Sequence, residues 1–283
     1  MLKMIVDARN QLGECVLWCE RTQRVLWTDI LGATLHAHHP ASGATQSWAM
    51  PERLACFALT ASDDRLLLGL ASQLAFFDFS SGAITPIATV EEGLSTRLND
   101  GRCDRQGNFV FGTFHEIEPR APIGSYYRLN AAGLRLEKLP LKGVAIANST
   151  CFSPDGATLY YCDSPDKAIR CCDYPSLAND RVFALCEGEG EPDGSCIDAE
   201  GYLWNAQWGG FKVVRYAPDG RIDRVLEVAA AQASCTALGG PDLNVLFSSS
   251  ATVGLATPSP TDGGLHATTL PDVRGLPESR FAG

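Results

Sequence analysis

The chain has 283 residues, of which 45% are hydrophobic and 20% are charged, and its formal net charge is −10 with a pI near 5.0. This composition predicts a water-soluble globular protein with a sizeable core, and it argues against nucleic acid or an anionic lipid surface as a partner. No apolar run approaches membrane-spanning length, and the opening residues MLKMIVDARN lack the apolar segment of a signal peptide. We therefore expect a cytoplasmic protein with no membrane partner.

Taken in chain order, the predicted elements are short β-strands separated by turns rich in Gly, Asp, Asn and Pro, and helical periodicity is almost absent. A first strand is expected around residues 4–8. Six similar units follow, each with a small-residue strand, a turn and a second strand rich in aromatic or β-branched residues. They begin with the segments 14–30, 54–70, 99–113, 148–163, 193–207 and 233–249.

Equivalent positions in these units recur at intervals of 39 to 49 residues. Four-stranded propeller blades have a period of about 40–50 residues. The sequence therefore predicts an all-β fold, a six-bladed β-propeller that forms one domain over residues 1–283, in which the first strand completes the last blade. A β-sandwich is the alternative, but it gives no reason for a fixed repeat.

Eleven cysteines are present, and most of them lie inside strand-like apolar runs. An odd number of cysteines in a chain without a signal sequence favours reduced thiols that pack as small hydrophobic side chains. The adjacent Cys171 and Cys172 have no CxxC partner, which argues against a structural zinc site.

Three Pro-Asp-Gly triplets, at 154–156, 192–194 and 218–220, have the composition of tight turns. The triplets at 154–156 and 218–220 each fall between two strands that belong to the same predicted blade. The triplet at 192–194 comes directly before a predicted innermost strand. We therefore expect Asp193 to lie at the mouth of the central channel.

A polar residue occupies the same position ahead of every predicted innermost strand: Glu14, Arg53, Asn99, Asn148, Asp193 and Gln232. A single residue of this kind is most often a turn former. Six of them converge at one end of a propeller channel, where carboxylates and amides need a cation or a ligand between them. Hard oxygen donors favour Ca²⁺, Mg²⁺ or Mn²⁺ over Zn²⁺ or Fe²⁺.

Two other groups of polar residues are weaker candidates. His36, His38 and His39 have the composition of a metal cluster, but the PASG turn that follows them favours an exposed loop. Ser149 and Thr150 have no nearby His–Asp partner of the kind that a nucleophile elbow requires. The chain also has no P-loop and no GxGxxG motif.

Four segments resemble a known family: LGECVLW (12–18), RLNDGRCDRQGNFVFGT (97–113), IANSTCFSPDGATLYYCDS (146–164) and EPDGSCIDAEGYLWNAQWGG (191–210). The family is the senescence-marker-protein/gluconolactonase family, which includes regucalcin and bacterial sugar lactonases, and the likeness covers nearly the whole chain. It implies one divalent metal ion, most readily Ca²⁺, held by Glu14, Asn148 and Asp193. It also implies that Asp193 is the general base.

By the same resemblance, Arg97, Asn99 and Glu116 bind a small-molecule sugar lactone, which is hydrolysed to the open-chain aldonic acid. Two local departures, Ser149 where many relatives have glycine and His115 beside Glu116, remove no ligand. L-arabinono-, xylono-, glucono- and 6-modified gluconolactones all remain open as substrates. The alternatives are a non-catalytic calcium-binding or docking propeller and a hydrolase of other esters or lactones, as a monomer or small homo-oligomer.

Overall fold

The computed structural model describes residues 1–283 as six four-stranded antiparallel sheets. The innermost strand of each sheet contacts the innermost strand of the next sheet, and the last contacts the first, so the sheets close a ring. The predicted six-bladed β-propeller is confirmed. No helix in the structure has the length and apolar character needed to span a bilayer.

Each of the first three blades runs from its innermost strand to its outermost strand in chain order. Blade 1 contains β2 (Gly13–Cys19), β3 (Arg24–Asp29), β4 (Thr34–His39) and β5 (Ala44–Ala49). Blade 2 contains β6 (Leu54–Leu59), β7 (Arg65–Leu70), β8 (Gln73–Asp78) and β9 (Ile84–Thr89). Blade 3 contains β10 (Thr96–Cys103), β11 (Phe109–His115), β12 (Tyr126–Asn130) and β13 (Arg135–Lys138).

The remaining blades follow the same order, except that the last one takes its outermost strand from the start of the chain. Blade 4 contains β14 (Ala147–Phe152), β15 (Thr158–Asp163), β16 (Ala168–Asp173) and β17 (Arg181–Leu185). Blade 5 contains β18 (Glu191–Ile197), β19 (Leu203–Trp208), β20 (Lys212–Tyr216) and β21 (Ile222–Glu227). Blade 6 contains β22 (Gln232–Gly239), β23 (Val245–Ala251), β24 (Leu265–Thr269) and β1 (Lys3–Val6).

The first strand closes the ring, as the sequence predicts. Lys3 and Met4 of β1 pair antiparallel with Ala267 and His266 of β24. Blade 6 is thereby built from both ends of the chain, and its outer edge depends on residues that are far apart in sequence.

The core lies between the faces of neighbouring blades. All six residues of β6 and all eight residues of β22 are buried, because an innermost strand is covered by neighbours on both faces. All eleven cysteines are buried and unbridged. The prediction of reduced packing thiols is confirmed.

Every innermost strand carries a register shift against the second strand of its blade, near the end where the polar positions lie. Such a bulge places two residues opposite one, bends the strand and redirects its side chains. Cys15 and Ser149, directly after Glu14 and Asn148, have φ angles of 49° and 60°, in the left-handed region. The bulges therefore shape the end of the channel at which the candidate site lies.

Two sequence predictions are wrong at the level of local structure. The triplets at 154–156 and 218–220 lie between strands, but residues 192–194 belong to β18 and contribute to its bulge. Cross-strand pairing with β19 outweighs the turn composition there. His36, His38 and His39 lie on β4, because pairing with β5 continues through all three, and His38 is buried.

Candidate active site at the channel mouth

A cleft of about 400 Å³ opens at the end of the channel where the innermost strands begin. Five of the six polar positions predicted to converge line this cleft, as do the two other residues that the resemblance assigns to substrate binding. The residues in question are Glu14, Arg53, Arg97, Asn99, Glu116, Asn148 and Asp193. The structure thus brings together every residue that the sequence proposes for metal or substrate.

Gln232 is the exception among the six polar positions. It is buried, and its side-chain Nε2 donates to the carbonyl oxygens of Ala251 and Val253 at 3.2 and 3.0 Å. Because its amide is occupied within blade 6, Gln232 does not line the cleft, and the prediction that it meets the other five is wrong.

Two carboxyl groups in the cleft, those of Glu14 and Asp193, have strongly raised pKa values. Burial and the nearby carboxylate of Asp100 raise the pKa of Glu14 to about 8. Burial, with smaller effects of Glu14 and Asp100, raises the pKa of Asp193 well above its usual range. Asp193 is only 4% exposed, and its Oδ1 atom has no hydrogen-bond partner.

Asn148 is held between two blades with its amide orientation defined. Its Nδ2 donates to Ser164 Oγ at 2.9 Å, and its Oδ1 accepts from Asn99 Nδ2 at 3.1 Å. A carbonyl oxygen has two lone pairs, so Oδ1 can accept this bond and still offer one lone pair to a cation.

Glu116 is fixed by a two-pronged ion pair with Arg53. The two Arg53 nitrogens Nη1 and Nη2 donate to Oε1 and Oε2 of Glu116, the second at 3.0 Å. This bonding lowers the pKa of Glu116, so Glu116 is ionised at neutral pH. Arg97 Nε lies 3.7 Å from Glu116 Oε1, and burial lowers the pKa of Arg97 to about 10, which still leaves it charged.

Ser149, directly after Asn148, combines a left-handed backbone with a hydroxyl group that bonds to blade 5. Its φ angle of 60° lies in the left-handed region, which glycine adopts most easily. Here the Ser149 hydroxyl donates to the carbonyl oxygen of Asp193 at 2.8 Å, and Asn205 Nδ2 donates to the same oxygen at 2.9 Å. The serine therefore ties blade 4 to the strand that carries Asp193.

His115, the second departure noted in the sequence, does not line the cleft. Its Nδ1 accepts from the backbone N–H of Ala121 at 2.9 Å, and Arg120 Nη1 donates to its carbonyl oxygen at 3.2 Å. His115 therefore braces the loop that follows Glu116.

Several cleft residues carried no sequence signal for function. Phe114, Arg120, Ser164 and Trp208 line the cleft, and the guanidinium groups of Arg97 and Arg120 lie 4.3 and 4.5 Å from the centre of the Phe114 ring. Phe114 and Trp208 stand near or at the ends of the second strands β11 and β19. A comparison of second-strand ends across the repeat could have found them.

The donor chemistry of the cleft fits a hard divalent cation. No group of three or more His, Cys, Asp or Glu side chains is arranged to hold a metal ion, so a site here requires the amide oxygen of Asn148 beside the two carboxylates. A buried carboxylate oxygen without a partner, as at Asp193, is unfavourable unless a cation or proton compensates it. Oxygen ligands of this kind are those that Ca²⁺, Mg²⁺ and Mn²⁺ prefer.

Comparison with known proteins agrees with the observed fold. Residues 12–252 match the SMP-30/Gluconolactonase/LRE-like region. The chain is 51% identical over 290 residues to L-arabinolactonase of Azospirillum brasilense, covering 99% of this chain and 95% of the relative. It is 31% identical over 296 residues to 6-deoxy-6-sulfogluconolactonase of Pseudomonas putida, covering 100% and 99% of the two chains.

Among solved structures, the calcium-binding protein regucalcin from Agrobacterium tumefaciens superposes with a TM-score of 0.92 at 30% identity, covering 99% of this chain and 97% of that one. The family match spans most of the chain and includes Glu14, Asn148 and Asp193. By sequence and by fold, this chain belongs to the SMP-30/gluconolactonase/LRE-like family.

Proposed function

We propose that the chain is a metal-dependent lactonase that hydrolyses a pentonolactone, L-arabinonolactone, to L-arabinonic acid. The chain is an enzyme that hydrolyses carboxylic ester bonds, like its lactonase relatives, and it acts on sugar lactones. The pentonolactone is favoured by 51% identity to an L-arabinolactonase over nearly the full length of both chains. The observation that carries the metal dependence is the unpartnered, buried Oδ1 of Asp193 in a cleft that also contains Glu14 and Asn148.

Glu14, Asn148 and Asp193 would hold the cation. When bound, a divalent cation supplies Lewis-acid stabilisation for the negative charge that develops on the lactone carbonyl oxygen. The negative charge of Glu14 contributes to the raised pKa of Asp193, and a bound cation would offset that charge. Ca²⁺ suits the three oxygen donors best.

Asp193 is proposed as the general base. Water adds to the lactone carbonyl carbon while Asp193 accepts one of its protons. The bond between that carbon and the ring oxygen then breaks, the ring oxygen takes the proton, and the product is a hydroxy acid. Proton transfer by a positioned carboxylate contributes about 10²–10⁴-fold to such a reaction.

Arg97, Asn99 and Glu116 are proposed to position the sugar. Glu116 is ionised and held by Arg53, so it can accept hydrogen bonds from sugar hydroxyl groups. Arg97 is buried and charged, and a guanidinium donates several hydrogen bonds from one plane to ring and hydroxyl oxygens. These contacts would hold the lactone beside Asp193.

The test uses the purified 283-residue chain, treated with a chelator and assayed by acid release from L-arabinono-, xylono-, glucono- and 6-deoxy-6-sulfogluconolactone. Hydrolysis should disappear without cation and return with Ca²⁺, Mg²⁺, Mn²⁺, Zn²⁺ or Fe²⁺ added separately. L-arabinonolactone should be the preferred substrate. Full turnover by metal-free protein would contradict the proposal, and cation binding without hydrolysis of any lactone would favour a non-catalytic propeller.

Asp193→Asn should lower kcat by about 10²-fold or more, because the amide cannot accept the proton. The matched control is Asp155→Asn, which makes the same change in another Pro-Asp-Gly triplet, at an exposed turn between β14 and β15. The control should keep full activity. If Asp193→Asn kept full activity as well, the assigned role of Asp193 would be wrong.

A further inference from the structure

A chain of four hydrogen bonds runs beside the cleft from blade 3 to blade 5. Arg97 Nη1 donates to Asn99 Oδ1 at 2.6 Å, and Asn99 Nδ2 donates to Asn148 Oδ1 at 3.1 Å. Asn148 Nδ2 then donates to Ser164 Oγ at 2.9 Å, and Ser164 Oγ donates to the carbonyl oxygen of Pro192 at 2.7 Å. The four side chains are 4–7% exposed, so water competes little for these bonds.

The groups at the two ends of this series of hydrogen bonds determine which atom donates and which accepts at each step. An arginine side chain can only donate hydrogen bonds, and a backbone carbonyl can only accept them. The single Ser164 proton is therefore committed to Pro192, and a lone pair of Ser164 Oγ faces Asn148. Rotating the Asn148 amide by half a turn would oppose its N–H group to that of Asn99, which is unfavourable in a buried position.

We propose that Ser164 is a positioning residue for the metal site. By accepting from Nδ2 it leaves Oδ1 as the atom that Asn148 offers to a cation. Its own hydroxyl holds the carbonyl of Pro192, the residue directly before Asp193. Ser164 thus couples two of the three proposed ligands, which lie on different blades; the inference rests on the proposed function because it takes both residues as ligands.

The same backbone fastening occurs at the other two proposed ligands. The carbonyl oxygen of Gly13, directly before Glu14, accepts from Ser234 Oγ of blade 6. The carbonyl oxygen of Ala147, directly before Asn148, accepts from Asn99 Nδ2 of blade 3 at 2.8 Å. A buried side chain of the preceding blade therefore fastens the strand at all three positions, and Ser164 differs from Ser234 in also contacting a ligand side chain.

The test is a calorimetric titration of the metal-free 283-residue chain with Ca²⁺, repeated with Mn²⁺ by electron paramagnetic resonance. Ser164→Ala should weaken cation binding by about 10–100-fold, the usual effect of removing a group that orients a ligand. Ser164→Thr, which keeps the hydroxyl, should bind within a few-fold of the native chain. The control Ser153→Ala removes a serine hydroxyl with two hydrogen bonds at the other end of blade 4 and should bind normally.

A second experiment distinguishes the orientation of the Asn148 amide from a general loss of rigidity at the site. In Asn148→Asp both terminal atoms of the side chain are oxygens, so either one can face the cation and the orientation of the group no longer matters. The loss caused by Ser164→Ala should therefore be several-fold smaller in the Asn148→Asp chain than in the native one. An equal loss in both backgrounds would overturn the orienting role.

The outcomes distinguish this inference from the proposed function. If the native chain neither binds a divalent cation nor hydrolyses lactones, the proposed function fails. If the native chain does both and Ser164→Ala binds Ca²⁺ equally well, the role of Ser164 is wrong and the proposed function stands. If Ser164→Ala does not fold, Ser164→Cys replaces it: weaker cation binding than in Ser164→Thr supports the inference, and equal binding overturns it.

Discussion

Two acidic side chains, Glu14 and Asp193, share one cleft and have raised pKa values. Folding thus strengthens proton binding at both carboxyl groups, because burial and neighbouring negative charge disfavour their ionised forms. Because the pKa of each group is higher in the folded protein than in the unfolded chain, the folded protein loses stability as the pH rises above the pKa of the unfolded chain. For Glu14 this loss grows from about pH 4.3, the unfolded pKa, to about pH 8.

Cation affinity should consequently rise with pH, because the cation must displace these protons. Between pH 6 and pH 8, Ca²⁺ affinity measured by calorimetry should increase by about tenfold per pH unit for each displaced proton. The metal-free chain should become less stable over the same range as Glu14 ionises. Glu14→Gln should flatten the dependence, whereas Asp155→Asn, which removes an exposed carboxylate with a lowered pKa, should preserve it. Affinity that does not change with pH would contradict the raised pKa of Glu14.

Among the elements, β1 has little local support, since it is four residues long and pairs only with β24. The strand is held in place by Leu2, the residue directly before it. Leu2 is fully buried in a hydrophobic cluster that includes Val228 and Val273, and its backbone N–H donates to the carbonyl of Glu227 at 2.8 Å. Leu2 therefore joins the start of the chain to blade 5 as well as to blade 6.

Leu2→Ala should lower the free energy of unfolding by about 2–5 kcal/mol, as expected for a buried leucine that leaves a cavity. Urea denaturation measures this value. Ile5→Ala, on β1 itself but 42% exposed, is the matched control and should change stability by at most about 0.5 kcal/mol. Equal effects of the two substitutions would show that burial of Leu2 does not secure the closing strand.

Across the whole molecule, the last residues of the chain cover the end of the channel opposite the cleft. Gly275 N–H donates to the carbonyl of Leu243 in blade 6, and the carbonyl of Arg274 accepts from Ala199 N–H, just after blade 5's β18. Beyond these contacts, Glu278 pairs with Arg102 of blade 3 at 3.0 Å, and Phe281 is fully buried beside blade 2. These contacts of the C-terminal segment link blades 2, 3, 5 and 6, and the cleft lies at the other end of the channel.

Phe281→Ala should lower the free energy of unfolding by about 3–5 kcal/mol, measured by urea denaturation. Cation affinity of the folded protein should not change, because Phe281 lies at the end of the channel remote from Asp193. Leu185→Ala, at a side chain that is 63% exposed, should have little effect on either quantity. A loss of cation affinity without a loss of stability would contradict the separation of the two ends.

Much of the fold could be predicted because its signals are local and repeated. Turn residues and strand composition recur in each unit, and that period by itself determines a six-bladed ring and the strand that closes it. The shared polar position ahead of each innermost strand likewise located Glu14, Asn148 and Asp193, because strands related by the ring place equivalent ends together. Family resemblance, and not spacing, supplied the roles of Arg97 and Glu116.

Tertiary structure decided what depends on pairing between strands and on contacts between blades. Whether residues 192–194 form a turn or a strand was settled by pairing with β19, and Gln232 was withdrawn from the cleft by carbonyl groups near the end of β23. The hydrogen bonds of Ser164 join groups that are 16 and 28 residues apart. Local composition does not identify such partners, because a hydrogen bond across strands or blades depends on distances and directions that only the closed ring determines.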